Sequence, residues 1–233
     1  MSETLVINKK EIKKGILNNI CRTWNAAFFE EIINNGVFDS ILDKLVMQVN
    51  DNKRFTPPIK DLFNTFKYCP YDDAKVFIIG QDPYPQFGVA DGIAFSCSKT
   101  GKLQPSLRYI FKEINGSQWD SLDPDLKRWC AQGVCLINTA FTVEIGKIGS
   151  HYDIWKQFTK ELLTHLNNRD HKQIFILLGK KAEQWEKYID KQKIYKLSHP
   201  ASAAYRGGVW DSKNIFNKVN EDLKNMNLSQ INW

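Results

Sequence analysis

A short apolar run meets a stiff turn in the sequence Val76-Phe77-Ile78-Ile79-Gly80-Gln81-Asp82-Pro83-Tyr84-Pro85. The first four residues are typical of a buried strand. Gly80 ends this strand, and the two prolines that follow prevent it from continuing. The turn therefore holds a carboxylate, Asp82, at the carboxyl end of a core strand, which is where open α/β sheets bind their ligands.

Apolar runs typical of parallel strands alternate with helical patterns along the rest of the chain. We place the strands at 75–79, 133–138, 173–178 and 194–197, and the helices between and after them at 106–114, 154–166, 180–191 and about 212–226. This alternation predicts an α/β fold, with a central four-stranded parallel sheet flanked by helices on both faces. We expect one domain over residues 1–233, made of an amino-terminal helical segment at about 9–50 and an α/β core at about 55–233.

The composition fits such a domain and excludes several other classes of protein. The chain has 233 residues, is 42% hydrophobic and carries a net charge of +6, which suits a polyanionic partner but is weak evidence alone. Its five cysteines form no CxxC pair, so we expect reduced thiols and no metal site. No apolar run is long enough to span a membrane and the amino terminus lacks a secretory signal, so we expect a cytoplasmic protein without a membrane partner.

The predicted sheet brings polar side chains from several strand ends to one rim. The four stretches are Gln81–Tyr84, Asn138–Thr139, Gly179–Lys180 and Ser198–Pro200. An acid, an amide, a tyrosine and a histidine converge there, which is the composition of an active site.

These stretches and several others resemble motifs of the family-1 uracil-DNA glycosylases, over nearly all of the chain from about Ile20 to Trp233. The turn Gly80–Tyr84 resembles the water-activating motif of that family. Other similar segments are Gly92–Ser96 (uracil stacking), Pro105–Leu107 (proline-rich loop), Leu136–Val143 (base reading), Leu177–Gly179 (glycine–serine loop) and Ser198–Gly207 (minor-groove loop). Several motifs in the right order make the resemblance specific.

The resemblance implies a function and a set of site residues. It implies a monofunctional enzyme without a cofactor that hydrolyses the N-glycosidic bond of deoxyuridine in DNA, releases uracil and leaves an abasic site for base excision repair. Asp82 would activate the attacking water and His199 would donate a hydrogen bond to uracil O2. The predicted uracil-binding residues are Gln81, Tyr84, Phe95 and Asn138, and the predicted DNA-binding residues are Ser106, Lys180, Ser202, Tyr205 and Arg206.

The chemistry of two side chains matches the discrimination that such an enzyme needs. The carboxamide of Asn138 offers one donor and one acceptor, which pair with N3–H and O4 of uracil but not with cytosine. The ring of Tyr84 at the C5 edge of the base would collide with the methyl group of thymine. Taken alone, each residue has an ordinary alternative: a strand-end cap for Asn138, core packing for Tyr84 and Phe95, a turn for Asp82, and a structural role for His199.

The chain departs from the family pattern at three places. Pro85 stands where the family has His, Lys180 stands where its glycine–serine loop has Ser, and the segment 199–206 lacks the leucine that wedges into duplex DNA. We therefore expect a relative preference for single-stranded DNA, with Tyr205 or Trp210 as an alternative wedge. A catalytically weak glycosylase-like module that binds DNA or a partner protein is the alternative function.

The resemblance also implies partners. Uracil-containing DNA, single- or double-stranded, is the expected substrate. A DNA-mimicking inhibitor protein is an expected partner, because members of the family bind such inhibitors. We expect the protein to be a monomer.

Overall fold

Parallel strands form the centre of the computed structural model, which describes residues 7–205 and 208–233 apart from the side chains of residues 204 and 205. The strands are β1 (Phe55–Thr56), β2 (Val76–Gly80), β3 (Val134–Asn138), β4 (Val143–Glu144), β5 (Ile174–Leu178) and β6 (Lys193–Leu197). A four-stranded parallel sheet has the order β3-β2-β5-β6. The predicted α/β fold with a four-stranded parallel sheet flanked by helices is confirmed.

Helices surround this sheet. They are α1 (Lys9–Asn19), α2 (Arg22–Trp24), α3 (Glu30–Asn34), α4 (Val37–Asn50), α5 (Asn64–Tyr68), α6 (Pro105–Asn115), α7 (Lys127–Cys130), α8 (Tyr152–Asn167), α9 (Lys180–Glu183) and α10 (Ile215–Asn225). A π-helical turn, Asn25–Phe29, joins α2 and α3. None of the described helices is long and apolar enough to cross a membrane.

The structure corrects two details of the sequence analysis. The predicted helix at 180–191 is wrong, because the segment breaks into α9 and a 3₁₀ turn, Glu186–Tyr188. This break brings Ile189 into the core, where it is fully buried, so tertiary packing overrides local helical preference. The short strands β1 and β4 were not predicted; they pair antiparallel and join the loop after β3 to the chain before β2.

Aromatic packing fixes the amino-terminal helices and the loop after β3 on α8. Phe28 lies 5.8 Å from Phe158, between ring centroids, and Phe63 stacks on Phe158 at 5.4 Å. Phe141, in the loop after β3, lies 5.2 Å from Trp155. Edge-to-face and offset contacts of this kind add about 0.5–1.5 kcal/mol per pair beyond the area that they bury. The loop that follows β3 is therefore held on a rigid base.

All five cysteines are free, and four of them are buried.

Candidate active site

Two strand ends meet in register at the carboxyl edge of the sheet. Gly80, the last residue of β2, lies opposite Asn138, the last residue of β3. A Cβ atom on Gly80 would lie 2.5 Å from Oδ1 of Asn138 and 2.8 Å from Cζ of Phe95. Glycine is needed at this position because any side chain would occupy the space in which the amide and the ring converge.

A second glycine allows the histidine to approach. Gly179 follows β5 with a φ of +90°, and a Cβ atom there would lie 2.9 Å from Cβ of His199. The rings of His199 and Phe95 have centroids 6.0 Å apart. The predicted convergence of strand-end side chains therefore includes a residue after β6 as well as residues after β2 and β3.

The carboxylate of Asp82 is held by three hydrogen bonds to one of its oxygens. Oδ2 accepts from the backbone N–H of Gly149 at 2.7 Å, from the hydroxyl of Tyr152 at 3.3 Å and from Nε2 of Gln81 at 3.3 Å. Oδ1 is buried and accepts no hydrogen bond from any described group of the protein. Oδ2 is thus fixed in position, and Oδ1 remains available to accept a hydrogen bond from a ligand.

Opposing effects act on the ionisation of this group. Burial raises the pKa of the Asp82 carboxyl above its ordinary value, and the hydrogen bonds from Gly149, Gln81 and Tyr152 and the charge of Lys181 offset only part of this rise. Burial also raises the pKa of Tyr152, so its hydroxyl stays protonated and remains a donor. Hydrogen bonds to the charged form of a carboxyl favour that form, so the three donors act to keep Asp82 ionised.

Tyr84, Phe95 and Asn138 line one small cavity at the strand ends, together with Pro83. The hydroxyl of Tyr84 donates to the backbone carbonyl of Phe95 at 2.9 Å, and burial raises the pKa of this tyrosine well above its ordinary value. Phe95 has a φ of +67°, a strained conformation for a bulky residue. No described group hydrogen-bonds the carboxamide of Asn138, which is only 8% exposed. The cavity thus has a rigid aromatic edge and one amide with free donor and acceptor atoms.

Asp91 holds the backbone that carries Phe95. Its carboxylate accepts hydrogen bonds from the N–H of Ile93, the hydroxyl of Ser96, and both the N–H and the hydroxyl of Ser98. This fourfold anchoring can offset the cost of the left-handed backbone at Phe95, which is of order 1–3 kcal/mol.

His199 is neutral and has a defined tautomer. The backbone N–H of Ala201 donates to its Nδ1 at 3.2 Å, and burial lowers the pKa of the imidazole. A neutral ring whose Nδ1 accepts must carry its proton on Nε2. The ring is therefore a hydrogen-bond donor through Nε2.

A buried histidine in the loop before α8, His151, is part of the scaffold. Thr142 Oγ1 lies 2.7 Å from Nδ1 of His151 and accepts a hydrogen bond from Nε1 of Trp155 at 2.7 Å. Burial lowers the pKa of the His151 ring to about 4. These bonds fix the loop that presents Gly149 and Tyr152 to Asp82.

The predicted DNA-binding residues are found in different surroundings. Lys180 is exposed at the first position of α9, and Ser202 is half-buried in the 3₁₀ turn Pro200–Tyr205, with its N–H bonded to the carbonyl of His199. Ser106 is buried in the first turn of α6, whose N-cap is Gln104. The side chain of Tyr205 and the whole of Arg206 lie outside the described residues.

The structure also removes one candidate for the wedge. Trp210 is 3% exposed and donates through Nε1 to the carbonyl of Ser198 at 2.9 Å, so it packs in the core and does not project toward DNA. The indole of Trp210 fills apolar space in the core. The sequence around it, which follows Gly207 and Gly208, did not indicate this burial. Large exposed apolar side chains elsewhere on this rim include Phe87, at 76%, and Ile148, at 66%.

Gly149, Tyr152 and Asp91 are the site residues to which the sequence analysis assigned no role. Gly149 and Tyr152 contact Asp82 from 67 and 70 residues away, and no local pattern marks such a contact. Asp91 stands within a turn-forming sequence, where an aspartate is ordinary.

Comparison with known proteins agrees with this geometry. A sequence model of the uracil DNA glycosylase superfamily matches residues 66–224. The chain is 38% identical to uracil-DNA glycosylase 1 of Listeria innocua serovar 6a over 219 residues, which are 91% of this chain and 97% of that protein.

Solved structures agree as well. The crystal structure of mimivirus uracil-DNA glycosylase superposes with a TM-score of 0.81 at 26% identity, covering 97% of this chain and 89% of that chain. A variant of the mimivirus enzyme in complex with UGI also superposes with a TM-score of 0.81 at 26% identity, over 97% of this chain and 91% of that one. The chain belongs to the uracil DNA glycosylase superfamily.

Proposed function

We propose that this protein is a uracil-DNA glycosylase, a cofactor-free hydrolase that removes uracil from DNA and leaves an abasic site. The observation that carries this proposal is that Asp82, Asn138 and His199 follow or end neighbouring strands at one edge of the sheet, where Asn138 and Phe95 meet at Gly80 and the ring of His199 lies 6.0 Å from that of Phe95. Each of the three offers a hydrogen-bonding atom that the protein leaves unpaired: Oδ1, the carboxamide and Nε2–H.

The amide reads the base and the aromatic rings shape its pocket. Asn138 accepts from N3–H of uracil and donates to O4, whereas cytosine would leave buried polar groups unpaired at a cost of about 1–3 kcal/mol each. Phe95 stacks on the face of the base. Tyr84, anchored by its bond to the Phe95 carbonyl, lies at the C5 edge and excludes the methyl group of thymine.

The chemistry is hydrolysis at C1′ of the sugar. The bond from C1′ to N1 breaks and its electron pair goes to the departing base, while a water oxygen forms the new bond to C1′. Asp82 orients this water through Oδ1 and offsets positive charge on the sugar. His199 donates through Nε2–H to uracil O2 as negative charge develops there, and a preorganised donor of this kind contributes about 10²–10³ in kcat.

The target nucleotide must leave the base stack to enter this cavity, because the bond is unreachable inside a duplex. The described part of the minor-groove loop carries no leucine, and Trp210 is buried, so single-stranded DNA is the preferred substrate in this proposal. Phe87 is the exposed apolar side chain five residues after Asp82, and it supplies the wedge for duplex DNA.

The remaining expectations follow from the family. The protein acts as a monomer in the cytoplasm. It binds a DNA-mimicking inhibitor, in keeping with the complex of a mimivirus relative with UGI.

The test is a time course of uracil release from single-stranded and duplex oligonucleotides at low salt, with Asp82→Asn as the inactive control. We expect release that depends on Asp82 and is faster from the single strand. Phe87→Ser should slow the duplex reaction alone, whereas Met47→Ser, an exposed apolar change on α4, should alter neither. Absence of release with DNA binding intact would favour the glycosylase-like binding module instead.

A further inference from the structure

A second groove lies beside the site, between the start of α8 and the segment after β5. Its volume is about 490 Å³, within the range of ligand sites. We call it the lysine groove and define it by Tyr152, Lys156, Lys181, Trp185, Lys187 and Tyr188. Neither the motifs in the sequence nor the proposed chemistry assigns a role to this groove.

The lysine groove is positively charged. Three lysines and one acidic residue, Asp153, line it. Among the described residues, no carboxylate lies within ion-pair distance of Lys156, Lys181 or Lys187, and all three are exposed. Three cations that form no ion pair with a described carboxylate suit a ligand that carries several negative charges.

The groove is also aromatic. The rings of Trp185 and Tyr188 have centroids 5.6 Å apart, and Trp185 is half-buried, so its ring is held in place. Lys187 lies over the ring of Tyr188 at 5.1 Å, and Lys181 over the ring of Tyr152 at 5.2 Å. Aromatic rings interleaved with lysines are the pattern of proteins that stack bases and track a phosphate backbone at once.

The groove is continuous with the site. Gly149 and Tyr152 line it, and both donate hydrogen bonds to the carboxylate of Asp82. Thr139, which also lines it, directly follows Asn138. A DNA strand that places one nucleotide over Asp82 therefore has the groove next to it.

We propose that the lysine groove binds the nucleotides that flank the target on one side of the same DNA strand. This role of the groove rests on the proposed function, because it assumes that the target nucleotide lies over Asp82. Bases stack on Trp185 and Tyr188, and Lys156 and Lys187 pair with the phosphates. The groove thereby binds single-stranded DNA directly. This matters because the described part of the minor-groove loop has no leucine to open a duplex.

The experiment uses two variants with matched controls. Lys156→Ala/Lys187→Ala is compared with Lys160→Ala/Lys172→Ala, which removes the same charge from exposed lysines outside the groove. Trp185→Leu is compared with Trp185→Phe, which keeps an aromatic ring. The first probe is single-stranded dT8 without uracil, measured by fluorescence anisotropy at several salt concentrations. The second is a series of single-stranded oligonucleotides with one deoxyuridine, extended by zero to four nucleotides on either side.

We expect Trp185→Leu to weaken dT8 binding by about 5- to 100-fold and Trp185→Phe to restore most of it. The double lysine variant should lower the salt slope of dT8 binding by about 1.4, which corresponds to two lost phosphate contacts. In the cleavage series, extension on one side should raise kcat/KM for the wild type and for the control lysine pair, but not for the groove variants.

Binding and cleavage that are alike in the groove variants and their controls would overturn the proposal. Equal losses in both lysine pairs would also overturn it, because they would reflect net charge alone. If the protein releases no uracil, the dT8 measurement still tests the groove, so failure of the proposed function is distinguishable from failure of this inference.

Discussion

The substitution Gly80→Ala tests whether the space beside Gly80, at the end of β2, is needed to position Asn138 and Phe95. The new Cβ atom would lie 2.5 Å from Oδ1 of Asn138 and 2.8 Å from the ring of Phe95, whereas ordinary contacts begin near 3.4 Å. Both obstructing atoms are the far ends of side chains, so the protein can relieve the clash by displacing them by about 1 Å. Overpacking of this kind costs about 1–3 kcal/mol of stability. A displacement of about 1 Å in a positioned group costs about 100-fold in rate.

We therefore expect kcat/KM for uracil release to fall about 100-fold while the variant remains folded. Both quantities are measurable, by uracil release at a temperature well below the midpoint of thermal unfolding and by urea denaturation. Gly15→Ala is the control: it lies in α1, has no atom within 4 Å of its new Cβ and should raise stability by up to about 1 kcal/mol without affecting activity. Activity of Gly80→Ala within about threefold of the wild type would refute the geometry that we assign to Asn138 and Phe95.

Three further substitutions test the pocket and its scaffold. Asn138→Asp should relax discrimination between uracil and cytosine, measured as release of either base from matched oligonucleotides, and a variant that stays active and strictly uracil-specific would contradict the assigned role. Tyr84→Ala should admit thymine, and the absence of thymine release from an active variant would argue against a C5 contact. His151→Asn should flatten the pH dependence of stability. The native state keeps this ring neutral down to about pH 4, whereas an unfolded histidine binds a proton near pH 6.5, so wild-type stability should fall by up to about 3 kcal/mol between those pH values. Urea unfolding at pH 7 and pH 4.5 measures this loss, and identical losses in variant and wild type would exclude His151 as its source.

Local sequence was sufficient to predict the four strands of the parallel sheet. Each of the four core strands was predicted to within one residue at either end. In β2 and β5 an uninterrupted run of Val, Ile, Leu and Phe has few alternatives to a buried strand. The turn after β2 was equally plain, since Gly80, Pro83 and Pro85 restrict the backbone whatever surrounds them. The order of motifs along the chain was also enough to indicate the superfamily.

The alternatives that the sequence left open were decided by contacts between distant segments. Asn138, Asp82 and His199 had ordinary local explanations, and only the register of β2 against β3 and the loop after β6 brings them to one edge of the sheet. Trp210 was a candidate wedge by composition, yet its burial depends on how the chain after β6 packs.

The sequence by itself determined the four strands of the parallel sheet, the turn that carries Asp82 and the family, because these depend on residues that are adjacent in the chain. The tertiary structure alone decided which oxygen of Asp82 is held by Gly149 and Tyr152 and which is left unpaired. It also decided the tautomer of His199 and the existence of the lysine groove. The physical reason is that hydrogen bonds, burial and pKa shifts depend on distances of a few ångströms between groups far apart in sequence, and residue patterns do not record those distances.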